Sequence, residues 1–90
     1  MAKIFIPSTL AALSGGSTNF ELEGGSVREI LRALEQKCPG IGQKIFNEGE
    51  LVNNFVNIFV DDKDFRYIKG LNTPVSSGSK IVIMVAIAGG

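Results

Sequence analysis

Few residues in this chain could do chemistry, and the most telling are the last two. Gly89 and Gly90 follow the apolar run Lys80-Ile81-Val82-Ile83-Met84-Val85-Ala86-Ile87-Ala88. A β-rich run of this length predicts a strand buried in the middle of a sheet. Two glycines after it have no side chain to pack or brace. They predict a thin, flexible arm over residues 87–90 that ends in the carboxylate of Gly90. That carboxylate is the expected functional group. It is a poor electrophile, because resonance and negative charge protect its carbon. The chain offers no phosphate loop or metal site to activate it, so activation falls to a partner.

The other chemical candidates are weaker. Cys38 closes the apolar face of a predicted helix, with no histidine anywhere to activate it. Buried packing is the expected role, against the alternative of thiol or redox chemistry. Asp61, Asp62 and Asp64 lack the glycine and the distant glutamate of a calcium loop, and read as an acidic turn. Gly15-Gly16 and Gly24-Gly25 are turns, since no lysine-serine pair follows them into a helix. No catalytic residue and no metal ligand is expected, and the chain reads as a non-enzyme. Arg66 and Lys69 read as solvated charge, with steering of an acidic partner as the alternative.

Composition sets the frame around the tail. Ninety residues make one domain with a small core. Nine basic and nine acidic residues cancel, so no basic face is advertised and nucleic acid is not an expected partner. The lack of histidine and the single cysteine exclude zinc sites, iron–sulfur clusters, catalytic triads and disulfides within the chain. The N-terminal stretch has an early lysine and an apolar run, but Pro7, Ser8 and Thr9 break it as a signal peptide. No run reaches the roughly 18 apolar residues of a membrane span. The cytoplasm is the expected location, without membrane partners.

The elements that must position the tail follow in order. Ala2 to Pro7 predicts a strand, and Ser8 to Leu13 a loose turn or a helical turn. Ser17 to Glu23 alternates around Phe20 and Leu22 and pairs with the first strand as a hairpin. Ser26-Val27-Arg28-Glu29 predicts a capping box, with the glutamate reaching back to the cap amide. Val27, Ile30, Leu31, Leu34 and Cys38 then mark one helix face, and Arg28, Glu29, Arg32, Glu35 and Lys37 the outer one. Pro39-Gly40 stops the helix. A short helical turn and a loop are expected over residues 41–52, and a strand over residues 55–61. Asp61 to Asp64 is a charged turn, with Phe65 to Ile68 as a brief returning strand. Leu71 and Val75 tuck into the core, and Ser76 to Ser79 turns the chain into the last strand. That strand is the most apolar, so it belongs at the centre of the sheet with the first strand parallel beside it. The result is an α+β chain of the β-grasp, or ubiquitin-like, type. Its mixed sheet has four to five strands on one main helix, with a body of residues 1–86 and the arm of 87–90.

This order, the length and the ending Ala88-Gly89-Gly90 resemble the ubiquitin-like sulfur-carrier proteins. That family includes the small subunit of molybdopterin synthase and the sulfur carrier of thiamine biosynthesis. The stretch from Phe55 to Arg66, followed by Gly70-Leu71 and Thr73, is most similar to the branch that carries sulfur for cysteine synthesis. Asn57-Ile58-x-Val60 with its acidic followers appears across related carriers.

The resemblance implies that a ubiquitin-activating-type enzyme adenylates Gly90 with its own ATP. A sulfur donor then makes a thiocarboxylate, which serves a sulfur-accepting synthase. The chain would be a protein cosubstrate with no cofactor of its own, or a non-catalytic subunit of a synthase. The acceptor pathway could be that of cysteine, molybdopterin, thiamine or transfer-RNA thiolation. A ubiquitin-like modifier joined to lysines through Gly90, and a β-grasp interaction module with an inert tail, stand as alternatives.

Glycine suits the tail because a backbone without Cβ lies close against a partner. An arm of Ile87, Ala88, Gly89 and Gly90 would reach roughly 12–14 Å, enough to enter a deep cleft. Strand alternation puts Ile81, Ile83, Val85 and Ile87 against the helix. It leaves Phe59, Val82 and Met84 as candidates for an exposed docking patch, unless a loop residue such as Phe46 covers that face.

Overall fold

The main helix, α2 (Val27–Lys37), forms where the apolar period of the sequence lies. Val27, Ile30, Leu31 and Leu34 are all buried, and Cys38 just beyond the helix joins them. Ser26 caps it, with its Oγ accepting from the Glu29 N–H at 3.3 Å. The reciprocal bond differs from a standard box. Glu29 Oε1 accepts from the Gly25 N–H, at 3.1 Å, one residue before the cap. The Val27 N–H goes instead to the Thr73 carbonyl, and the Val75 N–H to the Gly25 carbonyl. The start of the helix is thus stitched to a distant loop, which satisfies one of the amides that have no partner within the helix.

The computed structural model describes residues 1–46, 52–53 and 55–85. Five strands form one sheet: β1 (Ala2–Phe5), β2 (Asn19–Leu22), β3 (Val56–Val60), β4 (Lys63–Asp64) and β5 (Lys80–Val85), in the order β2-β1-β5-β3-β4. β5 is central. It runs parallel to β1, with Phe5 opposite Val82, and antiparallel to β3, with Ile58 opposite Ile83. The expected parallel pairing of first and last strands is therefore found. Ile4, Ile58, Ile81 and Ile83 lie buried together beneath α2. Each such side chain contributes roughly 1.5–3 kcal/mol by leaving water. Val82 is half-buried and Met84 exposed, so the isoleucine side is the inner one.

Two short helices complete the body, α1 (Ser8–Ala11) and α3 (Ile41–Ile45). The chain reverses between α2 and α3 at Gly40, whose φ of 98° favours glycine. Glu35, read as an outer-face charge, turns inward to this junction. Its carboxylate accepts from the N–H groups of Gly40 at 2.8 Å and Gly42 at 2.7 Å.

The returning strand comes earlier than predicted. β4 is Lys63–Asp64, and Phe65–Tyr67 is a 3-10 turn rather than a strand. Asp61 and Asp62, with φ of 50° and 72°, make a two-residue hairpin turn that pairs Val60 with Lys63 at once. Asp64 Oδ1 then accepts from the Arg66 N–H at 2.9 Å, which caps the following turn.

Candidate functional site

The site is built from the end of β5 and the sheet face it shares with its neighbours. β5 runs three residues past its last pair with β1, from Val82 to Val85. β1 stops because Pro7 has no N–H to extend the ladder. An open, mainly apolar groove of about 290 Å³ lies there, between Phe5–Pro7 and Val82–Val85. The groove thus flanks the last described residues of the chain. Ala86, Ile87, Ala88, Gly89 and Gly90, which carry the predicted arm and its carboxylate, lie outside the described residues, as do residues 47–51 and 54.

Phe59, Val82 and Met84, the predicted patch, come together on the outer sheet face. Val82 pairs with Phe59 on one side and Phe5 on the other, and Met84 sits opposite Asn57. Met84 is 52% exposed, and Phe59 and Val82 are half-buried. Phe46 packs against the inner core instead, so it does not cover this face.

Phe5 belongs to the same row and was not singled out from the sequence. The buried alternation of Ala2, Ile4 and Ile6 was the signal that sends Lys3 and Phe5 outward. Lys80 lies over the Phe5 ring, with Nζ 5.8 Å from its centroid. Phe55, at the start of β3, is also exposed.

Arg66 reaches the same region. Its guanidinium donates to Asn57 Oδ1 at 3.0 Å and to the Val56 carbonyl at 2.7 Å. Since β4 pairs only as far back as Phe59, these bonds cover the stretch of β3 that β4 leaves open.

The remaining chemical candidates fall elsewhere. Cys38 is fully buried in the core, and burial pushes its thiol above the usual range, against a smaller lowering by a hydrogen bond with Ser14. The expected packing role fits. Asp61, Asp62 and Asp64 serve the hairpin: Asp61 Oδ1 accepts from the Lys80 N–H at 2.9 Å, and Asp64 caps Arg66. Among the described residues no cluster of three metal-ligating side chains is present, and no helix is long and apolar enough to cross a membrane.

A mixed five-stranded sheet whose central last strand runs parallel to the first, packed on one main helix, is the β-grasp fold of the ubiquitin-like class. Within it, residues 4–90 match the ThiS family, and the chain belongs to that family. The chain is 30% identical over 89 residues to the sulfur carrier protein CysO of Mycobacterium tuberculosis, covering 97% of this chain and 96% of that one. It is 30% identical over 80 residues to a putative sulfur carrier protein of Archaeoglobus fulgidus, covering 89% and 91%. Among solved structures, a chain of the Amycolatopsis orientalis BexX/CysO complex superposes with a TM-score of 0.92 and 32% identity, over 100% of both chains. The predicted kinship with the cysteine-synthesis branch of sulfur carriers agrees with these names.

Proposed function

We propose that this chain is a sulfur carrier whose working group is the Gly90 carboxylate. The observation that carries this reading is the ThiS-family match, which runs through residue 90. The position of β5 supports it, because the central strand of the sheet is the element that ends at Val85, shortly before Gly90 in the sequence.

The chemistry proceeds in two steps. A Gly90 carboxylate oxygen attacks the α-phosphorus of ATP held by a ubiquitin-activating-type enzyme, and pyrophosphate leaves. The acyl-adenylate carbonyl is then a good electrophile. A sulfide-equivalent donor attacks it, AMP leaves, and a thiocarboxylate remains. Its charge rests on a soft sulfur, which makes it the nucleophile that delivers sulfur to an accepting synthase.

The body does no bond-making and binds no cofactor of its own. It is a protein cosubstrate that works in the cytoplasm, and cysteine synthesis is the favoured destination. Phe59, Val82 and Met84 form the docking patch, and Ile87, Ala88 and Gly89 thread the partner's cleft.

Adenylation with the organism's own activating enzyme, followed as pyrophosphate release, tests this. The wild-type chain releases pyrophosphate. Gly90→Ala lowers the rate by at least about tenfold, because its Cβ enters a cleft fitted to bare backbone. Deletion of Gly89 and Gly90 abolishes release. Equal rates for all three chains would refute the assignment.

A further inference from the structure

We propose that Arg66 is a specificity-determining cation at the root of the tail, which recognises a carboxylate beside an apolar contact on the activating enzyme. The inference rests on the carrier reading and names a partner chemistry that reading leaves open.

Three observations place it. First, the guanidinium is held in position. Its two bonds run to neutral acceptors on β3, Asn57 Oδ1 and the Val56 carbonyl, so its charge stays uncancelled by them while its freedom is reduced. Arginine has five N–H donors in a rigid fork, and two bonds leave three for a partner. A carboxylate matches that fork with two parallel bonds, and pre-organisation lowers the entropy lost on pairing.

Second, the location is constrained by the tail. Asn57 lies opposite Met84, one residue before the end of β5. Gly90 lies five residues beyond Val85, an extended reach of at most roughly 17 Å. A partner that holds the Gly90 carbonyl must therefore press close to the end of β5. There it meets Met84 and Phe55, each about half exposed, with Arg66 alongside.

Third, the lysines of this sheet face lie at its other end. Lys3 and Lys80 are paired at the start of β5, with Lys80 Nζ over the Phe5 ring. Asp64 accepts from the Arg66 main-chain N–H and not from its guanidinium. Among the described residues Arg66 thus presents an exposed charge at the tail end of the strip, and charge complementarity selects an acidic group on the partner.

The test is the dependence of activation kinetics on Arg66 and on salt. With the organism's activating enzyme, Arg66→Glu should raise KM for the carrier about tenfold with kcat unchanged, because the cation acts in docking and not in chemistry. Arg66→Lys keeps the charge but loses the fork, and should raise KM about threefold. Arg32→Glu, on the outer surface of α2, should leave KM unchanged. The wild-type KM should rise with salt toward that of Arg66→Glu.

Thermal melting of each variant separates docking from folding. If Arg66→Glu does not fold, Arg66→Lys and the wild-type salt series still decide the matter. A wild-type KM indifferent to salt, or folded Arg66 variants with unchanged KM, would overturn the inference and leave the carrier reading intact. Absence of any wild-type adenylation would remove both.

Discussion

At the scale of single residues, the one thiol is placed where it cannot act. Cys38 packs among Leu34, Ile41 and their neighbours in the core, fully shielded. Its thiol holds its proton more tightly in the folded state than the ordinary 9.0, chiefly because burial disfavours the thiolate. The sign of the resulting pH dependence follows. Below 9.0 the thiol is protonated in both states and costs nothing. As pH rises above 9.0 the unfolded chain ionises and the folded one resists, so stability falls. Cys38→Ala should therefore weaken the protein at neutral pH through lost packing, yet flatten its loss of stability above pH 9.0. Urea unfolding across that range measures both. A thiol reagent should react with the native wild type only as fast as the protein opens. Rapid native-state labelling would contradict the buried assignment.

Elements are held by contacts that the sequence reveals unevenly. The junction of α2 and α3 depends on Glu35, which caps two amides beyond the turn. Glu35→Ala should lose about 1–3 kcal/mol, the range for buried or charge-assisted bonds. A Cβ at Gly42 would lie 2.6 Å from Glu35 Oε1, so Gly42→Ala displaces the same carboxylate. The two substitutions should be non-additive in a double-mutant cycle by denaturation. Gly42→Ala should destabilise the wild type but be neutral or stabilising once Glu35 is alanine, because alanine then gains helix propensity freely. Strict additivity would mean the two bonds carry no weight. The helix face from Val27 to Cys38, the central last strand and the parallel first strand were all legible, because burial imposes a period on them. The Phe59, Val82 and Met84 face was legible for the same reason. Glu35 and Arg66 were not. Each is a polar residue that looks like solvated charge until the chain folds back and brings it partners five to ten residues away. The returning strand was misplaced because two aspartates in left-handed conformations turned the hairpin sooner than composition suggests.

At the scale of the whole molecule, the described residues form a small body with the most apolar strand at its centre, and the proposed chemistry belongs to the residues that follow that strand in the sequence. β5 is braced on both sides, by β1 and β3, and faces α2 with Ile81 and Ile83. On the proposed reading, the outer face offers a partner the apolar row of Phe5, Val82, Phe59 and Met84, with Arg66 beside the end of β5. The central claim is that a protein of this shape stores sulfur at its terminal carbonyl, with bond-making left to other enzymes. Intact-mass measurement of the protein purified from its own cells tests this most directly. A population in which one oxygen has been replaced by sulfur, mapped to Gly90 by fragmentation and absent when the activating enzyme is deleted, is the predicted result. A protein that never carries that exchange, in cells whose function survives loss of its last two residues, would contradict the account.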